Sequence, residues 1–165
     1  IGIGAGIDLP QTQGVTTMAP GVELMGGYNF DKNFAVRLEV DAFFSAPTTY
    51  YSVTDIRILP EAKYTFDGNG FQPYLVGGIG YDMLSESVSG SSSSSGSSPS
   101  ASGLDFLIGG GIQFDLGNKL KAFAEIKYNS ASISSNSSSS SGSGTSAPAV
   151  TYSDLPFTVG INLAL

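Results

Sequence analysis

Cysteine, histidine and tryptophan are absent from this chain of 165 residues. Without cysteine there is no disulfide framework, no thiolate nucleophile and no cysteine-ligated zinc. Without histidine there is no Ser-His or Cys-His pair, no imidazole metal ligand and no ordinary base near neutrality. Basic residues are scarce too. Seven Lys and Arg against fourteen Asp and Glu, a net charge of −7, cannot assemble a patch for nucleic acid. No run of eighteen apolar residues occurs, so no transmembrane helix is present. The opening Ile1-Gly2-Ile3-Gly4 is not a basic stretch followed by an apolar one, and so is not a signal peptide. What the chain does have is glycine, phenylalanine and tyrosine, with only 13% charged residues in a sequence that is 41% hydrophobic. A polar interior wrapped by an apolar exterior would reconcile those figures, and one domain accommodates the length.

The hydrophobic period is two. In Phe34–Phe44 one face reads Phe34, Val36, Leu38, Val40, Ala42, Phe44, and the other Ala35, Arg37, Glu39, Asp41, Phe43. In Asp55–Phe66, Ile56, Ile58, Pro60, Ala62, Tyr64 and Phe66 oppose Arg57, Glu61 and Lys63. In Lys119–Asn129, Leu120, Ala122, Ala124, Ile126 and Tyr128 oppose Lys121, Phe123, Glu125, Lys127 and Asn129. Such alternation predicts strands with two chemically different sides. The segments beginning at Ile1, Tyr74, Leu104 and Leu155 alternate likewise, with glycine prominent on the second face. With Val22–Phe30 they make eight candidate strands.

The connections alternate as well. Asp31-Lys32-Asn33, Asp67-Gly68-Asn69-Gly70 and the Leu116-Gly117-Asn118 region read as tight turns. Two other links, Ser85–Gly103 and Ser130–Ser153, read as long serine-rich loops, with Ser91–Ser95 and Ser137–Ser141 as unbroken tracts. Short turns at one end and long loops at the other describe an up-and-down meander. It can close as a soluble barrel with its apolar face inside, or as a membrane barrel with that face outside. An eight-stranded barrel has an interior just wide enough for side chains. The mixture of glycine with Arg, Glu and Lys suits that lumen better than eight bulky apolar faces do, so the closed transmembrane barrel is favoured.

Aromatic residues agree. Tyr28, Phe30, Phe34, Tyr64, Phe66, Phe71 and Phe114 fall at the short-turn ends of strands, and Phe44, Tyr81, Tyr128 and Phe157 at the other. Two aromatic rings bracketing an aliphatic band are the interfacial girdles of a bilayer-spanning barrel.

The stretch Gln72-Pro73-Tyr74-Leu75-Val76-Gly77-Gly78-Ile79-Gly80-Tyr81 resembles the P-Y-x-x-x-G-x-G-Y strand of the small eight-stranded outer-membrane β-barrels of Gram-negative bacteria, the OmpA/OmpX-like barrels. Gly27–Val36 resembles the G-Y-x-F-x-x-N-F-A-x-E hairpin of that family, and Val159-Gly160-Ile161-Asn162-Leu163 its closing strand. The resemblance implies a fold and a location in the outer membrane, and no activity. The chain departs from the pattern in ending on Leu165, where an aromatic is usual, and in starting its first strand at Ile1.

Charges expected in the lumen are Glu23, Arg37, Glu39, Asp41, Arg57, Glu61, Lys63, Lys121, Glu125 and Lys127, with Asp82 and Asp105. A catalytic or ion-conducting cluster is one reading. A network of ion pairs filling the lumen is the favoured one, because buried charges need partners. Arg37 is expected to reach Glu125, and Lys121 or Lys127 to reach Glu39 or Asp41. No catalytic, cofactor or metal site is expected; the turn at Asp67 lacks the later acidic ligand of a calcium loop. The bilayer is the expected partner, nucleic acid is not, and the serine loops are expected to contact copies of the chain or surface glycans. The functions weighed are a structural surface barrel for adhesion or self-assembly and a narrow porin-like channel, with an enzyme a distant third.

Overall fold

The computed structural model describes residues 1–9, 18–48, 51–88, 100–135 and 150–164. They form β1 (Gly2–Asp8), β2 (Ala19–Asn29), β3 (Phe34–Thr48), β4 (Tyr51–Thr65), β5 (Phe71–Val88), β6 (Ser100–Gly117), β7 (Leu120–Ser135), β8 (Val150–Asp154) and β9 (Phe157–Leu163). β1 to β7 pair antiparallel in chain order. β8 and β9 both lie against β7, at Asn129–Ile133 and Leu120–Ile126, and are two halves of one eighth strand. β9 pairs with β1, from Gly2↔Asn162 to Ile7↔Phe157, and closes an all-β, eight-stranded antiparallel barrel. Closure removes the unpaired edges that an open sheet would offer to other chains.

The eighth strand breaks at Leu155-Pro156, inside the stretch expected to be a continuous strand. Proline has no N–H for the ladder. The Pro156 carbonyl still accepts from Lys127 N–H (3.1 Å), and Leu155 N–H donates to Leu9 O (3.3 Å), so the wall stays bonded across the break.

Burial follows parity. Leu38, Val40, Ile56, Ile58, Ile126 and Ile161 are 38–51% exposed on the outer face, whereas Glu39 and Arg57 are 0% exposed inside. An apolar outside around a charged inside inverts a soluble barrel and suits a hydrocarbon surrounding. The short-turn aromatics Tyr28, Phe30, Phe34, Tyr64, Phe66, Phe71 and Phe114 are all exposed on that surface. They form edge-on pairs: Tyr28–Phe30 at 5.3 Å, Tyr64–Phe66 at 5.2 Å and Phe71–Phe114 at 5.6 Å between ring centroids. Phe44, Tyr81, Tyr128 and Phe157 are exposed toward the other end.

The strands outrun the expected loop boundaries. Ser85–Val88, Ser100–Gly103, Ser130–Ser135 and Val150–Ser153, read as loop, are strand. Composition is a weak signal once a neighbour supplies a ladder, because the backbone bonds are the same whatever the side chain. Ala131 and Ile133, alternating with serines, are buried, and Tyr81 Oη bonds Ser102 Oγ at 2.8 Å. β5 and β6, at 18 residues each, exceed the roughly 9–11 residues a tilted strand needs to cross a bilayer. The tracts Ser91–Ser95 and Ser137–Ser141 lie outside the described residues.

The short turns are built by local bonds. Asn118 (φ 51°) and Lys119 (φ 66°) form a two-residue turn in the left-handed region that a type I′ hairpin requires, preceded by Gly117 at φ 83°. Asp31 Oδ1 accepts the N–H groups of Asn33 and Phe34, each at 2.7 Å, which holds its carboxyl below the usual carboxylate range. The second tight link is tied to it: Lys32 Nζ donates to Asp67 Oδ2 at 2.9 Å, and Asn33 Nδ2 to Asp67 Oδ1 at 3.3 Å. Those bonds, Lys32 first, lower the Asp67 pKa. A lowered carboxylate contributes above its unfolded pKa of about 4 and stops contributing as pH falls through its folded value. An NMR titration of the Asp67 carboxyl is therefore expected to give a midpoint below about 4. Lys32→Gln is expected to move it upward; an unchanged midpoint would show that the tie does not hold in solution.

Candidate functional site

The lumen holds the chain's charge. Ten carboxylates and four cations are buried among the described residues, and all lie at inward positions. Strand register sets who is beside whom on the wall: Arg37 pairs with Glu61, Asp41 with Glu23 and Arg57, and Arg57 with Asp82. Closure then brings opposite walls together, and the charges sort into three levels.

The middle level joins β3 to β7. Arg37 Nη2 meets Glu125 Oε1 at 2.5 Å and Glu39 Oε2 at 3.3 Å, while Arg37 Nε bonds Glu61 Oε2. Lys127 Nζ bonds Glu39 Oε1 and lies 3.2 Å from Glu125, 3.5 Å from Glu61 and 3.8 Å from Glu23. The Arg37–Glu125 and Lys127–Glu39 partnerships are those expected from two charged strands facing each other across an eight-strand ring.

The level toward the long-loop end is centred on Arg57. Its Nη2 meets Asp8 at 2.9 Å, Asp154 at 2.5 Å and Asp55, and the guanidinium carbon stands 5.2 Å from the Phe43 ring centroid. Asp41, Asp82 and Asp105 are buried as well, and Asp105 accepts the Ser130 N–H at 3.1 Å. None of the three direct partners of Arg57 was among the expected lumen charges. Asp154 sits beyond the break in the eighth strand, although its parity with Thr158 places it inward. Asp8 is the last residue of β1, and Asp55, the first residue of the stretch expected as strand, lies four residues inside β4.

At the short-turn end the lumen is polar and cationic. Lys63 Nζ donates to Gln113 Oε1 at 2.8 Å and stands 3.8 Å from the centroid of the Tyr74 ring. Gln113 Nε2 and Lys121 Nζ both donate to Gln72 Oε1, at 2.8 and 2.9 Å. Of the two lysines either of which was expected to reach Glu39 or Asp41, Lys127 does so and Lys121 does not. It lies six positions along β7 from Lys127, about 20 Å at strand rise, level with the glutamines. An apolar pillar of Leu59, Tyr74, Val76 and Leu107 occupies the β4–β6 side of the interior.

Two carboxylate triads have oxygens within 4.8 Å of one another: Asp8, Asp55, Asp154 and Glu23, Glu39, Glu125. Such spacing could hold a metal ion, but each triad already surrounds a cation of the chain, Arg57 in the first and Lys127 in the second. These are ion-pair clusters by construction.

A closed barrel, apolar outside and ion-paired within, defines an integral outer-membrane type of β-barrel. The sequence matches the outer membrane protein beta-barrel domain family over residues 1–162, and the chain belongs to that family. No curated protein matches it in sequence. Among solved structures it is similar to Neisserial surface protein A, NspA, with 13% identity, 99% of this chain and 95% of that one covered, and a TM-score of 0.76. Ail, the attachment invasion locus protein of Yersinia pestis, is 16% identical over 97% of this chain and 93% of its own, with a TM-score of 0.61. The outer membrane enzyme PagL is 15% identical over 97% and 98%, with a TM-score of 0.62. At such identities the likeness is one of fold.

Proposed function

We propose that this outer-membrane barrel is a surface scaffold with a plugged lumen, whose serine-rich segments at the cell surface mediate adhesion or self-assembly. The observation that carries the reading is the pair of links across the lumen, Arg37–Glu125 and Lys127–Glu39, joining β3 to β7. Side chains paired through the middle of so narrow a barrel leave little room for a water column. Lengthened β5, β6 and β7 raise the points from which residues 89–99 and 136–149 depart, on neighbouring strands of the end that bears the long loops in such barrels.

Contact chemistry follows from composition. Ail carries attachment in its name, and one of its structures holds the heparin analogue sucrose octasulfate. A polyanion calls for cations, and Glu86 is the only charge in Ser85–Gly103 or Ser130–Ser153. Neutral glycan or the extended backbone of a second copy suits these hydroxyls better. PagL is an enzyme, but a shared fold does not carry activity. The absence of histidine and cysteine from this chain favours a role without catalysis.

Purified protein in planar bilayers is expected to show no steady single-channel current; a large steady current would favour the porin-like reading instead. Shortening both tracts to turns of about four residues is expected to leave the barrel folded while self-assembly and glycan binding disappear. Undiminished assembly and binding would sink the role given to the tracts.

A further inference from the structure

A cavity of about 370 Å³ opens inside the barrel at the short-turn end. That end faces the periplasm in outer-membrane barrels. Its wall includes Arg37, Lys63, Gln72, Gln113, Lys119 and Lys121. The volume is in the range of small-molecule sites.

The charges around this cavity are distributed unlike those of the rest of the lumen. Arg57 and Lys127 are each surrounded by carboxylates. Lys63 and Lys121 have no carboxylate within ion-pair distance among the described residues; their ammonium groups bond the amide oxygens of Gln113 and Gln72. Both donors into Gln72 use its oxygen, which leaves its amide nitrogen as a further donor beside them. Asp31 is the only acidic residue in the cavity wall, and its Oδ1 is taken by two N–H groups of its own turn. Of the other acids at this end, Asp67 is paired with Lys32, and Asp115, the register partner of Lys121, accepts the Gly117 N–H at 2.8 Å and makes no ion pair with Lys121. The deeper carboxylates are engaged by Arg37, which lines the cavity, and by Lys127 beyond it. Ammonium groups with no ion-paired carboxylate, joined by amide donors in a partly enclosed site, are the ingredients of oxyanion recognition, because charge-assisted bonds gain strength as water is excluded.

We infer that the short-turn mouth of the lumen is a binding site for a small oxyanion of the phosphate class, held by Lys63 and Lys121 with the Gln72 amide. The site is independent of the serine tracts and of whether the lumen conducts. It persists if both tracts are removed.

The test is calorimetric titration of inorganic phosphate into the full chain in nanodiscs of zwitterionic lipid. Saturable binding that weakens with added salt is expected, with Lys121→Gln weakening it about tenfold or more. Lys63→Gln is expected to do the same; Lys121, half-buried and at a strand end, provides the variant whose folding is least at risk. Lys32 also lines the cavity but is paired with Asp67, so Lys32→Gln is expected to weaken binding far less than Lys121→Gln. Repeating the titration in phosphatidylglycerol nanodiscs separates the two sources of phosphate. Competition would identify a lipid headgroup as the occupant, and undiminished binding a free solute; either supports the site. Absence of saturable phosphate binding at millimolar concentration in both lipids, or unchanged binding by the Lys121→Gln variant, would overturn it.

Discussion

Replacing Arg57 with methionine is expected to destabilise the barrel by about 3–5 kcal/mol, the cost of removing one partner from a buried ion cluster. Arg57 is wholly buried and is the cation that Asp8, Asp55 and Asp154 share. Methionine keeps much of the volume against Phe43 while removing the charge, so the loss reports electrostatics more than packing. The control is the same substitution combined with Asp55→Asn and Asp154→Asn. With fewer unpaired carboxylates, that protein is expected to recover a large part of the loss, since a neutral cluster of similar volume is often as stable as an ion pair. Unfolding by urea in phospholipid vesicles measures both. A cost below about 1 kcal/mol for the single variant would mean that the cluster is solvated like a surface pair. An equal substitution at Arg37 is expected to cost less, because Lys127 remains beside Glu39, Glu61 and Glu125.

The second large effect lies on the opposite face of the same wall. Val40 points outward between the aromatic levels marked by Phe34 and Phe44. Val40→Lys is expected to cost about 2–4 kcal/mol, the penalty for lysine facing lipid near the bilayer midplane. Tyr28→Lys, in the short-turn girdle, is expected to cost about 0–1 kcal/mol, because a lysine there reaches the interface. Depth dependence is the signature sought. Equal costs at the two positions would place the hydrocarbon elsewhere on the barrel, and a gain in stability at Val40 would point to an outer face in water.

Much of the architecture is legible along the chain because side-chain parity is a property of the extended backbone itself. Once Phe34, Val36, Leu38 and Val40 share one side, Arg37, Glu39 and Asp41 must share the other. The tight turns are equally local: Asp31 supplies its own acceptor, and Gly117-Asn118-Lys119 holds the left-handed conformations its hairpin requires. The serine-rich strand extensions were illegible for the opposite reason. Ser100–Gly103 and Ser130–Ser135 have little strand preference of their own and are extended because β5, β6 and β7 offer neighbours to bond.

Sequence by itself therefore determined the strand faces and the eight-strand meander, and favoured the inversion that puts the apolar side toward lipid. The charged faces of β3 and β7 already pointed to links between Arg37 and Glu125 and between Lys127 and Glu39; the tertiary structure alone decided the other pairings within the lumen and the geometry of all of them. Arg37 meets Glu125 across 88 positions of chain, and Lys127 meets Glu39 across another 88. Asp8, Asp55 and Asp154 converge on Arg57 from three strands, and Lys63 joins Gln113 while Lys121 joins Gln72 at the other end. Parity says only that a side chain points inward. Which inward side chain it touches depends on the stagger of each strand against the next and on the closure of β9 upon β1, and those are set by backbone bonds between segments far apart in the chain.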